Sequence, residues 1–339
     1  MSVVYVKEQG AVIRKRGARL LVEKDGEVLL EIPLRQTDAV AAFGSVQVTT
    51  QAMSVLLEEG IPLALLTRHG RPKGHLVPEA SRNVPLRVAQ FRRSLDEAAS
   101  LKLARAVVEA KLDNTRATLD DYRSNYPGPE LAGSSRRLRE LAATTTGAAT
   151  HAELMGIEGA GAALWLECFK KLNRSELPFE KRMKRPAADP VNALLSLGYT
   201  LLTGELRALA EAAGLEPHVG FLHGVDYGRP SLALDLVEAF RASVIDRLTL
   251  TLLNQRAFTA GDFGRSLAGR FEGRVVLLPD ALARYIARYE EAVTAPRTPA
   301  PGGVREVLRG EIDKLRRAIL KDEPFRPWRE DPDAVADLL

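Results

Sequence analysis

The spacing of apolar residues changes near residue 85, and this change constrains the fold more than any other feature of the chain. Before it, short runs such as SVVYVK and AVIRK have the composition of strands. The segment ARLLVEKDGEVLLEIPL places two apolar runs around Asp25-Gly26, which indicates a hairpin. After it, apolar residues recur at helical intervals. The pattern predicts an α+β protein, with a small β-rich domain followed by a larger all-α domain.

Prolines mark the boundaries between the expected segments. We expect a β-rich domain at 1–85, a helical domain at 86–303, and a C-terminal helix and tail at 304–339. The segment TAPRTPAPGG separates the last two, because proline interrupts helices. The Pro-rich, acidic tail has the composition of a disordered segment. Beyond residue 130, helices are expected around 136–144, 151–172, 189–214, 231–255, 261–267, 280–293 and 304–320.

Several classes of protein do not fit this chain. It has no GxGxxG motif, no Walker-type loop and no alternating strand–helix pattern, which argues against a Rossmann enzyme or a P-loop NTPase. The chain has no run of about 20 apolar residues, so neither a membrane helix nor a membrane partner is expected. Cys168 is the single cysteine, so a disulfide within the chain is impossible and a reducing cytoplasm is the simplest location. The net charge of +4 is too small to indicate nucleic acid by itself.

The segment HGVDYGRPSLALDLVEAFR predicts a helix that begins near Pro230 and carries two acids on one face. Asp235 and Glu238 are three residues apart, so they are neighbours on the helix surface. One interpretation is an amphipathic helix with a solvated face. However, Leu234 and Ile245 lie close to the acidic row, and a poorly solvated carboxylate needs a partner. A divalent cation such as magnesium or manganese would meet that need.

Two further residues fit the same kind of site. His223 precedes a turn at Gly228 that could fold it back towards Glu238, although a single histidine is more often structural than a ligand. Glu158 shares a helix face with Gly161 and Trp165, and a buried glutamate is costly unless something binds it. The alternative is close helix packing in which Glu158 pairs with an arginine. With one cysteine and no HExxH motif, a structural zinc site is not expected.

Together these segments resemble the CRISPR-associated integrase family, the metal-dependent endonuclease subunit of the spacer-acquisition complex. The matching stretches include GSVQVTTQAMSVLLEEGIPLALLTRHGRPKGHL, AKLDNTRATL, LMGIEGAGA, RPAADPVNALLSLGYTLL and HVGFLHGVDYGRPSLALDLVEAFR. They cover both predicted domains in the family's order. DPVNALLSLGYTLL and GRPSLALDLVEAFR together are highly specific, whereas EGxGA alone would be weak.

The resemblance implies an enzyme of prokaryotic antiviral defence. Such an enzyme inserts short foreign DNA fragments (prespacers) into a CRISPR repeat array, by attack of a 3′-hydroxyl on a phosphodiester. Its partners are double-stranded DNA, a second copy of itself, and a small CRISPR-associated nuclease whose dimer bridges two homodimers. The β-rich domain is the expected dimerisation domain.

The resemblance also assigns the site. Glu158, His223 and Glu238 match the family's metal ligands, and the expected ion is Mg²⁺ or Mn²⁺. Asp235 matches a further catalytic acid in a supporting role. The chain departs from the common pattern at Gly161, where many relatives have a larger residue, and at Thr115, where a glutamine is common. Neither position is a proposed ligand.

Candidate DNA contacts follow from basic and polar positions near these motifs. They are Arg68, Arg71, Lys111, Arg182, Lys184, Arg185, Asn192 and Tyr199. Two other functions stay open from the residues alone. One is a non-catalytic DNA-binding scaffold, and the other is a metal-dependent hydrolase that acts on RNA.

Overall fold

The β-rich region contains eight strands and one helix. The computed structural model describes residues 2–76, 83–125, 128–183, 187–266, 273–296 and 302–330. The strands are β1 (Ser2–Val6), β2 (Val12–Arg16), β3 (Arg19–Lys24), β4 (Glu27–Pro33), β5 (Thr37–Phe43), β6 (Gln47–Val48), β7 (Leu63–Leu66) and β8 (Pro72–Leu76). Helix α1 (Thr50–Glu58) begins after Thr49, whose hydroxyl accepts a hydrogen bond from the amide of Ala52.

The strands form two four-stranded sheets. In the first the order is β1-β5-β7-β8, with three parallel strands and an antiparallel edge strand β8. In the second the order is β4-β3-β2-β6. The predicted hairpin is confirmed as β3–β4. Its turn residues Asp25 and Gly26 have φ values of 51° and 88°, as a tight hairpin turn of this kind requires.

The remainder of the described chain is helical, which confirms the α+β prediction, apart from one small antiparallel sheet. The helices are α2 (Val84–Leu95), α3 (Glu97–Asn125), α4 (Pro129–Thr144), α5 (His151–Leu172), α6 (Pro190–Ala212), α7 (Ser231–Val237), α8 (Arg247–Asn254), α9 (Pro279–Thr294) and α10 (Gly303–Lys321). The small sheet pairs β9 (Phe263–Arg265) with β10 (Val275–Leu277), where a helix was predicted at 261–267. No helix in the described ranges has the length and apolar composition that crossing a membrane requires.

Two hydrophobic cores lie side by side. The sheets enclose one core, which includes Ile13, Leu20 and Leu56. The helices form the other, and Phe43 from β5 packs into it. The turn between β7 and β8 also touches the helices: at Gly70, whose φ is 81°, a Cβ atom would lie 2.7 Å from Leu197 Cδ1 of α6. A residue larger than glycine would therefore be strained at this φ and would require the Leu197 side chain to move.

The C-terminal part of the chain is packed against the helical domain. Leu308 and Ile312 of α10 lie in the same core as the other helices, although 304–339 was expected to form a separate segment. The prediction of a disordered tail is wrong for residues 322–330. Phe325 is buried, and Trp328 stacks on Phe240 with the ring planes 2° apart. Residues 331–339 lie outside the described residues.

Candidate active site

The acidic helix is one helical run whose hydrogen-bond pattern changes at Glu238. Helix α7 ends at Val237, a 3₁₀ turn spans Glu238–Phe240, a π-helical segment spans Arg241–Asp246, and α8 follows. Nearly the whole run is buried. Asp235 is 2% exposed and Glu238 is 4% exposed, so the interpretation of a solvated face is wrong. Both carboxylates must be satisfied by groups inside the protein.

Asp235 holds the loop that carries His223. Its Oδ2 accepts hydrogen bonds from the backbone amides of Phe221 at 2.6 Å and Leu222 at 3.0 Å. Its Oδ1 accepts from the amide of His223 at 2.9 Å and lies 2.7 Å from the Nδ1 atom of the same residue. The loop comes this close because residue 220 is glycine: a Cβ there would lie 2.6 Å from Asp235 Oδ2. Asp235 therefore fixes the imidazole through Nδ1, which leaves Nε2 available to a ligand.

Glu158 and Glu238 meet at the ammonium group of Lys111. The Nζ atom of Lys111 lies 2.6 Å from Glu238 Oε2 and also contacts Glu158 Oε1. The alternative that Glu158 pairs with an arginine is therefore wrong. Burial alone would raise the pKa of Glu238, but the charges of Arg241 and Lys111 outweigh it and lower the pKa to about 2. The carboxylate is thus ionised at neutral pH, and its charge is balanced by these two cations.

The donor types at this place suit a hard divalent cation. Carboxylate oxygens and a neutral imidazole nitrogen are ligands that manganese accepts, and magnesium prefers the oxygens. In the conformation seen here, no three His, Cys, Asp or Glu side chains among the described residues are grouped closely enough to hold an ion. The Lys111 ammonium lies where the two carboxylates converge. The residues therefore fit a metal by chemistry, and a metal would have to displace Lys111.

A further carboxylate, Asp246, lies inside the π-helical segment and was not found from the sequence. Its Oδ2 accepts a hydrogen bond from Trp165 Nε1 at 2.7 Å, and its Oδ1 accepts one from the hydroxyl of Tyr199. Burial raises the pKa of Asp246. The Arg241 guanidinium lies 4.6 Å from the Tyr199 ring centroid. Because Asp246 lies among apolar residues in the sequence, helical spacing gave no sign of this network.

The candidate DNA contacts fall into different environments. Asn192 is fully buried and its amide is used by Arg182, Met183, Lys181 and Asp189, which argues against direct contact with DNA. Arg182 lies half-buried with its guanidinium 5.4 Å from the Tyr199 ring centroid. Lys111 is engaged by the two carboxylates. Arg68 and Arg71 are exposed on the turn between β7 and β8. Lys184 and Arg185 lie outside the described residues.

Glycines set the approach of the helix that carries Glu158. A Cβ at Gly161 would lie 2.2 Å from Leu112 Cδ2, so a larger residue there would require the buried Leu112 side chain to move. Gly159 is exposed and has open space around it. Helix α5 is therefore closely packed at Gly161 and open to solvent at Gly159.

Comparison with known proteins identifies close relatives. The family model described as "CRISPR associated protein Cas1" matches residues 4–291. A CRISPR-associated endonuclease Cas1 from Thermus thermophilus is 36% identical over 331 residues, which is 97% of each chain. Among solved structures, a casposase bound to its integration product has a TM-score of 0.81 at 22% identity, over 100% of this chain and 97% of that one. A chain of a Cas6-RT-Cas1–Cas2 complex has a TM-score of 0.82 at 24% identity, over 97% of this chain and 36% of that one. The two structures show a shared fold.

Proposed function

The chain belongs to the family of CRISPR-associated Cas1 proteins, and from that premise we propose how it acts. It is a DNA endonuclease and integrase of antiviral defence, which inserts short foreign fragments into a CRISPR array. A 3′-hydroxyl of the fragment attacks a phosphodiester at the repeat, and the bond to the leaving oxygen breaks. With water in place of the 3′-hydroxyl, the same attack cuts DNA. The related casposase, captured with its integration product, supports this choice of reaction.

The convergence of Glu158 and Glu238 on one buried cation carries this proposal. Two carboxylates from different helices meet there, and the ammonium of Lys111 balances their charge. We propose that Glu158, Glu238 and Nε2 of His223 hold a divalent ion, Mg²⁺ or Mn²⁺, when Lys111 withdraws. The bound ion would polarise a phosphoryl oxygen and stabilise the leaving oxygen.

The protein's own groups then have separate tasks. Asp235 accepts a hydrogen bond from Nδ1–H of His223, which fixes the tautomer and keeps the Nε2 lone pair free. Arg241, whose Nε lies 3.1 Å from Glu238 Oε2, is a fixed cation beside the site. Lys111, once released from the carboxylates, is a second one. Both would offset the negative charge that develops on the phosphate during attack.

We propose that DNA reaches the site along a row of cations. Arg241 pairs with Glu238, and Arg241 and Arg182 both lie over the Tyr199 ring, so their charges form a row that begins at Glu238. Lys184 and Arg185 follow Arg182 in the sequence and are proposed to extend the row. A second basic group includes Arg71, at the turn before β8, and Arg274. Burial lowers the pKa of Arg274, and the charge of Arg71 lies close enough to lower it further.

These contacts would be to phosphates, so binding should weaken steeply as salt increases. Arg68 is proposed to act with Arg71 and Arg274 in this second group. Asn192 is proposed to act indirectly, because its amide oxygen accepts a hydrogen bond from Arg182 at 2.7 Å. Tyr199 supports the two guanidinium groups.

We propose a homodimer built on the β-rich domain, with a small Cas nuclease as the further partner. Strand β4 is at the edge of its sheet, and its residues Val28, Leu29 and Leu30 are each about half exposed (46–48%). An open edge with exposed apolar residues favours pairing with another chain. The structure of a related chain in a complex with Cas2 supports the second partner.

A strand-joining assay tests the function directly. Labelled duplex DNA with a free 3′-hydroxyl is incubated with a repeat-containing plasmid, Mn²⁺ and the protein. We expect wild type to join the two DNAs, and Glu158→Ala and His223→Ala to lose joining. Glu167→Ala, an exposed acid on the same helix α5, is the matched control and should join normally.

The same assay separates the alternatives. DNA binding by wild type without any joining would identify a scaffold rather than a catalyst. Cleavage of RNA in Mn²⁺ without any joining of DNA would identify a hydrolase of RNA. Either result would overturn the proposed function.

A further inference from the structure

The segment that follows α10 packs against helix α3 and against the helical run that carries Glu238. Helix α10 ends at Lys321, and Asp322 adopts a left-handed conformation with φ of 56°. Residues 323–330, here called the strap, have no regular secondary structure, and two prolines in it oppose helix formation. Near the end of the strap Arg329 pairs with Glu109 at 3.1 Å and Asp113 at 2.8 Å on α3. The strap therefore lies along the helix that also carries Lys111.

One buried amide joins the strap to the turn that carries Glu238. Asn114 of α3 is 1% exposed. Its Nδ2 donates to the carbonyl of Ala239 at 2.7 Å and to that of Trp328 at 3.0 Å, and its Oδ1 accepts from the amide of Glu330 at 2.8 Å. Asn114 thus links three pieces of backbone: α3, the strap, and the residue next to Glu238.

Two more contacts fasten the strap to the same helical run. The Trp328 ring stacks on the ring of Phe240, with the centroids 5.2 Å apart. Glu330 Oε2 lies 2.9 Å from a terminal nitrogen of Arg247, the first residue of α8. The strap therefore contacts the run directly at Phe240 and Arg247, on both sides of the π-helical segment, and is joined to Ala239 through Asn114.

This run needs outside support. Hydrogen bonds in 3₁₀ and π turns have poorer geometry than those of an α-helix, and such turns persist where their surroundings hold them. Glu238 is the first residue of the irregular part, so any shift at 239–240 changes where its carboxylate points. Glu238 begins the 3₁₀ turn, and the strap contacts the end of that turn, where Trp328 stacks on Phe240.

We propose that the strap is a positioning element for the reaction: Trp328 and Asn114 hold the 238–246 turns so that Glu238 faces Glu158 and His223. This rests on the proposed function, because it concerns how one proposed metal ligand is aimed. Trp328 and Asn114 do not touch substrate or metal. They act through the backbone of residues 239 and 240.

The chain offers an internal reporter for this proposal. It has two tryptophans, Trp165 and Trp328, so every substitution of Trp328 leaves Trp165 as the only one. Trp165 is 5% exposed and donates a hydrogen bond to Asp246 in the π-helical segment. Its fluorescence therefore reports on the segment that the strap holds. In Trp328→Phe, which keeps an aromatic ring against Phe240, we expect blue-shifted emission protected from acrylamide. In Trp328→Ala we expect red-shifted emission and increased quenching.

Mn²⁺ binding, measured by calorimetry on the full-length protein, is the second readout. We expect Trp328→Ala and Asn114→Ala to bind Mn²⁺ roughly 10- to 100-fold more weakly than wild type, the range known for groups that orient metal ligands. Trp328→Phe should restore most of the affinity. If Trp328→Ala does not fold, Arg329→Gln answers the question, because Arg329 is half exposed and its loss should weaken binding in the same direction by less.

Phe258→Ala is the matched control. Phe258 is as deeply buried as any residue of the strap, and it packs on Phe263 and Tyr285. This variant should lose stability and keep its Mn²⁺ affinity. Unchanged Mn²⁺ binding and unchanged Trp165 quenching in Trp328→Ala would overturn the proposal, as would equal weakening by Phe258→Ala. If wild type binds no Mn²⁺, or Glu238→Gln binds it equally well, the proposed function fails and the strap proposal fails with it.

Discussion

The two halves of the candidate site are held together in different ways. The His223 half is local: Asp235 lies 12 residues further along the chain and accepts hydrogen bonds from the 221–223 loop. The carboxylate half is assembled from distant helices, and Glu158 and Glu238 meet only at Lys111. The first half is fixed by backbone hydrogen bonds and needs no cation. The second is held by the Lys111 ammonium, which a metal would replace under the proposed function, so we expect its geometry to respond to metal while the imidazole stays in place.

Removal of Asp235 is the strongest way to break the local half. Asp235→Ala leaves the three amides of residues 221–223 and the His223 ring without their acceptor. We expect the free energy of unfolding to fall by about 4 kcal/mol, in the range for loss of a buried charged partner. Urea denaturation measures this loss, and Asp226→Ala, an exposed acid of the same loop, is the control. A loss no larger than that of the control would show that the loop does not depend on Asp235.

Removal of Lys111 tests whether the other half depends on a cation. Lys111→Met leaves Glu158 and Glu238 facing each other, with Arg241 as the nearby cation that still pairs with Glu238. In EDTA we expect a loss of about 3 kcal/mol in the free energy of unfolding. Saturating Mn²⁺ should recover most of it, since a ligand at 100 times its Kd contributes about 2.7 kcal/mol.

The control for this variant lies on the same helix. Lys102→Met removes an exposed lysine of α3, 3.6 Å from Asp322, and should change stability little in either buffer. Equal loss with and without Mn²⁺ in Lys111→Met would mean that metal does not replace the ammonium. The two halves would then not differ in the way described above.

A smaller effect is expected from crowding the local half. In Gly220→Ala the new methyl group would lie 2.6 Å from Asp235 Oδ2 and 2.8 Å from the carbonyl carbon of Ser231. We expect about 2 kcal/mol of lost stability, as for other overpacked buried sites. Gly224→Ala, in the same loop with open space, should be nearly neutral. Thermal denaturation compares the two, and equal melting temperatures would show that the loop adjusts freely.

The sequence predicted what depends on local spacing. The hairpin at Asp25-Gly26 and the helix at 151–172 were found because turn residues and helical periodicity act over a few positions. Helix α4 begins at Pro129, earlier than the expected 136, because the sequence Pro127-Gly128-Pro129 at its start is typical of a loop. Proline at the start of a helix is in fact well tolerated. The helix expected at 261–267 does not form. A capping box at Thr259 begins a single 3₁₀ turn, after which the chain forms β9 and pairs with β10.

The residues proposed for the candidate site came from the sequence, whereas the contacts among them came from the structure. Glu158, His223, Asp235 and Glu238 were chosen from spacing and from a resemblance. That Lys111 joins the two glutamates depends on three helices packing together, which no local pattern records. The ordered packing of residues 323–330 was missed for the same reason: proline and acidic residues predict disorder, and the contacts that order Trp328 and Glu330 come from α3 and from the 238–247 run.

Helix α3 is 29 residues long, and two of its side chains, three positions apart, both contact the Glu238–Phe240 turn. Lys111 reaches the carboxylates, and Asn114, three positions later, reaches the carbonyls of Ala239 and Trp328. Inserting or deleting one residue between them would rotate Asn114 by about 100° around the helix axis. Insertions and deletions should therefore be tolerated in surface loops but not in this stretch of α3, because there they would change the angle between Lys111 and Asn114 around the helix axis.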